Sequence, residues 1–340
     1  MGERLSTSHA GAPPIAPPDT PSTPEVDANG YIIFKDPEVA RICAENWGDG
    51  VGITLEQAAS VTNISTVFKE NTEITSFNEF GKFAKAQAIP ANAFNGCSAL
   101  SAIDLSNVTS LGASALYGCT SLEIADLAMP NLTSLGKNAL YGVKIKKISS
   151  LEQITELPAA TTSTQNFGDK SVLEEVVFTV ELSIIPEASF YNYQKLYVDL
   201  VLPNLTSIGR WAFQRTGIRR VLDLGRITAL TSTNAEHGTF AYCSNLESAI
   251  LPQSIISIGT REFRNCPQLN SLIIKATVPP TLGSEQLLFN SPNCIIYVHD
   301  SSVEMYRTAT NWSTYASRIK GIGELPIDNP TLYNEIKEYL

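Results

Sequence analysis

Apolar positions recur along this chain in a fixed frame. A bulky apolar residue is followed six positions later by Leu or Ile: Phe94 by Leu100, Leu116 by Leu122, Phe240 by Leu246, Phe263 by Leu269. The same frame fits Phe68 with Ile74, Phe167 with Leu173, Phe190 with Leu196 and Phe289 with Ile295, while Leu140 with Ile145 and Phe213 with Ile218 are one residue short. These leading residues, the anchors, stand at 68, 94, 116, 140, 167, 190, 213, 240, 263 and 289, separated by 22 to 27 positions. Self-similarity at such a period marks a stack of structural repeats.

Each unit has an internal order. The six-residue step leads into an alternating run, such as Leu100, Ile103 and Leu105, or Leu173, Val176 and Phe178, or Leu269, Leu272 and Ile274. Runs this short predict one strand per repeat. A Pro or Asn turn signal follows, as in Met129-Pro130-Asn131 and Leu202-Pro203-Asn204. A second apolar step then ends in Gly or Pro: Leu132 to Gly136, Leu205 to Gly209, Ile255 to Gly259, Leu182 to Pro186. In the unit that begins at Cys119, Leu122, Ala125 and Leu127 are expected on the inner side of the strand, with Leu132 and Leu135 as a second wall. A single unit cannot bury both faces, so neighbouring units must cover each other, their strands aligned as a parallel sheet.

The ends of such a stack need covers. Asp36 before Pro37 predicts a helix N-cap with Pro at the first turn, and Thr54 before Leu55-Glu56-Gln57 is a capping-box candidate. Two short helices are therefore expected as an N-terminal cap. At the other end, Ser301 or Ser302 opens a short helix through Val303 and Tyr306, and Trp312, Tyr315 and Ile319 are expected to close the last repeat. The tail from 324, with Tyr333, Ile336 and Leu340, has no assigned place.

The repeat has a specific likeness. The pattern LTSIG-x-x-AF-x-x-C-x-x-L-x-x-I-x-LP resembles the repeats of BspA-like (Treponema-type) leucine-rich repeat proteins. Parts of it stand at Leu205–Gly209 with Ala212-Phe213, at Ala93-Phe94 through Cys97 and Leu100, and at Phe240–Pro252. The segments Ile296–Ile319 and Asn46–Phe77 look like the two ends of that family, so the likeness spans roughly residues 31–322. It implies an α/β solenoid: a leucine-rich repeat superhelix of about ten repeats with one short parallel strand each and small helical caps. The expected organisation is a Pro-rich tether over 1–30, a helical cap over 31–65, the repeat array over 66–299 and a C-terminal cap and tail over 300–340. The likeness further implies a surface-exposed or secreted interaction protein of gut or oral bacteria, binding host proteins or glycans, and no enzymatic activity.

Composition narrows the classes. With 43% hydrophobic and 17% charged residues, a sizeable core is expected. A net charge of −10 argues against nonspecific nucleic-acid binding and against a polybasic membrane anchor. No apolar run reaches the roughly 18 residues of a membrane span. The N-terminus shows no secretory h-region, and GAPPIAPPDTPSTP over 11–24 reads as an extended tether. That combination suits a processed secreted chain, and equally a phage virion protein such as a tail or fibre subunit. An intracellular scaffold is a third reading. The Pro-rich N-terminus or the C-terminal tail is where an assembly partner is expected.

Candidate chemistry is sparse. The six cysteines form no CxxC pair, and Cys97, Cys119, Cys243 and Cys266 share one slot of the repeat with Val143, Tyr193 and Thr216. That company points to a buried packing position rather than to disulfides or a metal. Asp49-Gly50-Val51-Gly52 puts apolar residues where a calcium loop needs oxygen ligands, so it reads as a turn. His9, His237 and His299 converge on no nucleophile, and no catalytic residue, cofactor or metal is expected. The Thr/Ser/Asn-rich insertions at 158–166 and 228–238 are either binding loops or tolerated drift. One cluster stands out: Arg210, Arg215, Arg219, Arg220, Arg226, Arg261 and Arg264, with Trp211 and Tyr242 among them. Arg with aromatics is a common interface composition. The plainer alternative is arginine stems that shield the outer loops. The residues expected to touch a protein or glycan partner are Arg210, Trp211, Arg215, Arg219, Arg220, Tyr242, Arg261 and Arg264.

Overall fold

The computed structural model describes residues 25–151, 153–232 and 238–325. The tether at 11–24, the tail from 326 with Tyr333, Ile336 and Leu340, His9, His237 and the middle of the 228–238 insertion lie outside the described residues.

The repeats stack as a right-through parallel solenoid. Each strand pairs in parallel with a strand of the neighbouring turn, as Ser271–Ile274 does with Ser248–Leu251 on one side and Ile295–Val298 on the other. These strands form a first wall in three sections. Ser76–Phe77 pairs with Ala102–Ile103; Lys144–Ser150 lies between Glu123–Ala128 and Glu175–Val176; and a six-stranded section runs from Asp199–Val201 to Ile319–Gly321. The second apolar step forms strands of its own. Ala88–Ile89, Ser110–Leu111 and Ser134–Leu135 pair in register, so Ile89, Leu111 and Leu135 stack into one buried ladder. A turn therefore carries two short strands where both walls are regular.

The core lies between the walls and the anchor turns. Phe167, Phe190, Phe213, Phe240 and Phe263 stack almost coplanar, with successive ring centroids 4.8, 5.2, 5.9 and 5.5 Å apart. Offset stacks of this kind add to simple burial. Two sequence expectations shift. Side chains alternate along a strand, so with Leu122 inward Ile124 follows it and Ala125 faces out. The last anchor is Leu288 rather than Phe289. In the regular turns the anchor N–H donates to the carbonyl just before the next anchor: Phe94 to Ala115, Phe190 to Ala212, Phe240 to Glu262, and Phe263 to Leu287. That rule puts Leu288 in the core, and Phe289 turns outward, 40% exposed.

The glycine that ends the LTSIG step has a steric cause. A Cβ on Gly136 would collide with the backbone nitrogen of Ala113, and one on Gly209 with that of Glu187. Adjacent turns approach most closely at this point.

Both caps hold the stack by polar side chains. Helix α1 spans Pro37–Trp47 and α2 spans Leu55–Ser60. One oxygen of Asp36 accepts from Glu38 N and Val39 N, while the other accepts from the N–H groups of Thr75 and Ser76 and the Thr75 hydroxyl. One carboxylate thus starts α1 and fastens it to the first turn. Thr54 and Gln57 form the expected capping box of α2. At the far end, α3 spans Val303–Thr308. Tyr306, Trp312 and Tyr315 donate to the carbonyls of Ala276, Pro280 and Glu285, backbone groups of the last turns.

Candidate binding surface

The cysteine slot explains its own composition. Cys97, Cys119, Cys243 and Cys266 each donate to the anchor carbonyl of the preceding turn: Phe68, Phe94, Phe213 and Phe240, at 3.0 to 3.2 Å. After the corrected anchor Leu288, the slot holds Ser291, whose hydroxyl donates to Phe263 O at 2.8 Å. The slot wants a small buried donor. All six cysteines are free and buried, and burial pushes the thiols up, to about 11 at Cys97 and Cys243 and about 12 at Cys119 and Cys294. Thiols held neutral are poor nucleophiles. Among the described residues no group of three or more His, Cys, Asp or Glu is placed to hold a metal ion. Asp49 is spent on a turn, accepting from Val51 N, Gly52 N and the Tyr31 hydroxyl. His299 lies beside Ser301 at the start of the C-terminal cap.

Surface chemistry concentrates on the edge formed by the anchor turns. After every anchor except Phe167, the residue two places on takes a left-handed backbone: Glu70, Gly96, Gly118, Gly142, Asn192, Arg215, Tyr242, Asn265 and Asn290, with φ from 55° to 83°. The residue two places before several anchors does the same: Asn92, Ser114, Asn138, Ala188, Trp211 and Arg261. Gly and Asn suit this region, and bulky residues do not. Yet between 211 and 261 four such places hold Trp211 at φ 58°, Arg215 at 59°, Tyr242 at 62° and Arg261 at 59°. All four were singled out by sequence.

Three of them, Arg215, Tyr242 and Arg261, belong to one alternating row. The Arg215 guanidinium sits 5.1 Å from the Tyr242 ring centre, and Arg264 lies 5.2 Å from the same ring. Arg264 also lies 5.4 Å from the Phe289 ring, and Arg261 lies 5.1 Å from it. The order is Arg215, Tyr242, Arg264, Phe289, Arg261. Phe289 belongs to this row, and sequence reading missed it because it was taken for a core anchor. Asn290 two places after Leu288, matching Asn192 and Gly96, was the available signal. Arg210 flanks the row, paired with Glu187 at 2.7 Å and 5.5 Å from the Trp211 ring.

Two hollows prolong the row toward earlier turns. One, about 380 Å³, is lined by Gln194, Arg215, Thr216, Tyr242 and Ser244. Gln194 also lines the next, with Asn192, Lys195, Lys170 and Asp169 among its walls. Lys170 occupies the slot position of its turn, Nζ 5.4 Å from the Tyr191 ring and donating to Thr162 O. Burial lowers its pKa to about 8.

Arg219 and Arg220 belong elsewhere. Both guanidiniums engage Asp199, at 2.7 and 2.6 Å, at the start of the six-stranded section. Arg220 is buried there. Burial raises the Asp199 pKa, but the two arginines outweigh it and hold the carboxyl below its ordinary value. This triad ties two strands of the wall together and does not join the row. Arg226 lines a separate hollow with Asp223 and Lys275. The insertions are anchored structurally. Asn166 Oδ1 accepts from Asn138 N and Asn138 Oδ1 from Gln165 N, holding the end of the 158–166 loop, and the buried Glu262 carboxylate accepts from Ser232 N within the second insertion and from Thr239 N just after it.

Residues 53–166 and 160–280 match the model of the BspA type leucine rich repeat region, in six copies. Among solved structures, a leucine-rich repeat protein from Bacteroides ovatus is similar at TM-score 0.47 and 17% identity, over 75% of this chain and 76% of that one. A leucine rich cell surface protein from Faecalibacterium prausnitzii is similar at TM-score 0.38 and 16% identity, over 80% and 84%. The pneumococcal vaccine antigen PcpA is similar at TM-score 0.34 and 12% identity, over 69% and 65%. No curated protein matches the chain.

Proposed function

From the premise that this chain belongs to the BspA-type leucine-rich repeat family, we propose that it is a non-enzymatic interaction protein. It works outside the cell or at a cell surface and takes a protein or glycan ligand on the anchor-turn edge of the solenoid. One observation carries the placement: Trp211, Arg215, Tyr242 and Arg261 put large side chains on left-handed positions that most other turns give to Gly, Asn, Ser or Ala. Strained backbone of this kind gathers at functional sites, where something other than stability keeps it. Neighbouring guanidiniums and aromatic rings are the side chains that dominate binding energy in interfaces.

The experiment is a screen of the purified chain against an array of glycans and extracellular matrix proteins. A ligand whose binding weakens at least tenfold in Arg215→Asn/Tyr242→Asn supports the reading. Ligands bound equally by the variant place the surface elsewhere on the solenoid.

A further inference from the structure

We infer that the ligand of this edge is an acidic polysaccharide, one whose sugar units bear carboxylate or sulfate groups. The inference rests on the binding reading above and adds the chemistry of the partner.

Charge comes first. The chain as a whole is acidic, at −10. Along this edge the side chains reaching the surface are Lys170, Lys195, Arg215 and Arg261, over turns anchored from Phe167 to Leu288. The carboxylates beside them are already engaged. Asp169 accepts from the backbone and hydroxyl of Ser171, Glu187 pairs with Arg210, and Glu262 is buried beneath the turns. Arg261 donates to Gln286 and Lys170 to the Thr162 carbonyl, both neutral acceptors. Asp169 keeps its charge in the wall of the second hollow, and Lys170, Lys195, Arg215 and Arg261 outweigh it, so the edge attracts an anion.

Geometry says how the anion is read. Over their rings, Arg215 and Arg261 can turn an N–H edge to a ligand, and that edge matches a carboxylate or sulfate in a bidentate way. Tyr242 carries Arg215 and Arg264 within 5.2 Å of its centre, and Phe289 carries Arg264 and Arg261 within 5.4 Å. The rings serve as splints for the cations and are not platforms open to a neutral sugar. Stacking also fixes long side chains in advance, which lowers the entropy lost on binding.

The hollows choose between a polysaccharide and an acidic peptide. Between the cations the lining is Gln194, Asn192, Thr216, Ser171 and Ser244, amides and hydroxyls without an aliphatic side chain. Peptide partners are normally held by apolar anchors seated in pockets. A polar floor flanked by Lys170, Lys195 and Arg215 suits hydroxyl-bearing units beside anionic groups. The row follows the solenoid axis, where turns repeat about every 4.8 Å, so the ligand lies along it as an extended chain.

Titration of the full chain with polygalacturonate, heparin, dextran and poly-glutamate, followed by calorimetry at two salt concentrations, tests this. The expected result is binding of at least one acidic polysaccharide, weakened at least tenfold by Arg215→Asn/Arg261→Asn, with no binding of dextran. Circular dichroism of the variant verifies that it is folded. Comparable affinity for poly-glutamate overturns the polysaccharide in favour of an acidic peptide. Dextran binding, or no binding of either acidic polysaccharide while an array ligand still depends on Arg215 and Tyr242, overturns the acidic ligand and leaves the interaction surface standing. Acidic-polysaccharide binding unchanged in the variant overturns both.

Discussion

The Cys243 thiol donates to the carbonyl of Phe213, one turn earlier, at 3.1 Å, and four equivalent donors repeat the bond along the array. In these turns the slot is filled by a small side chain with a hydrogen to give, whereas Val143, Lys170 and Tyr193 fill it in others. Cys243→Ala removes the donor and leaves a void, and it should lower unfolding free energy by about 2 kcal/mol. Cys243→Ser keeps the donor, as Ser291 does, and should cost clearly less. Urea unfolding of both variants checks the order.

The same burial sets a pH dependence. The Cys97 and Cys243 thiols are pushed to about 11 in the folded chain, against about 8.5 when unfolded. Their folded pKa is raised, so their stabilisation is complete below about pH 8.5 and is lost as pH rises toward 11. In that window the unfolded chain releases protons that the folded chain keeps, at about 1.4 kcal/mol per pH unit for each thiol. Denaturant midpoints measured from pH 8 to 10 should fall, and less steeply in Cys97→Ser.

Close approach at the LTSIG glycine makes it intolerant. Gly136→Ala places a methyl on the backbone nitrogen of Ala113, which belongs to a packed neighbouring turn and has little room to move. A loss of about 2–4 kcal/mol is expected. At Gly118 an added Cβ meets nothing nearer than 3.7 Å, so Gly118→Ala bears only the left-handed backbone, about 1 kcal/mol. Thermal unfolding of the pair separates collision from conformation.

Arg219 and Arg220 should behave as structure. Asp199→Asn strips the carboxylate from a buried guanidinium and should destabilise by about 3 kcal/mol. The Asp199 pKa is lowered by its arginines, so this contribution is present above about pH 4 and fades as pH falls through the folded value. Ligand binding at neutral pH should survive Arg219→Lys, whereas Arg215→Lys should weaken it.

The periodic residues were readable because a stacked core repeats its demands on the sequence. Phe94, Phe190 and Phe240 announce their turns, and Asp36-Pro37 and Thr54 announce the caps. Where two apolar residues adjoin, as Leu288 and Phe289 do, size misled: the larger ring was assigned inward, while the turn's hydrogen bonds put Leu288 there. Spacing alone does not place Ala125: Ile124 and Leu127 face the core, and Ala125 and Asp126 both lie exposed between them. The arginine–aromatic row was legible only as composition. Arg215, Arg219 and Arg264 look alike in one dimension, and only the stacking of turns sends one to Asp199 and the others to Tyr242.

The central claim is that Trp211, Arg215, Tyr242 and Arg261 are kept in left-handed positions for binding and at a cost to the fold. The direct measurement is thermal unfolding and ligand affinity, on the same samples, for the fourfold variant with Asn at these positions. Asn suits that backbone, so relief of strain should leave the melting temperature equal or a few degrees higher. Affinity for the ligand found on the array should drop at least tenfold. A lower melting temperature together with unchanged affinity would contradict the claim and assign these residues to the fold alone.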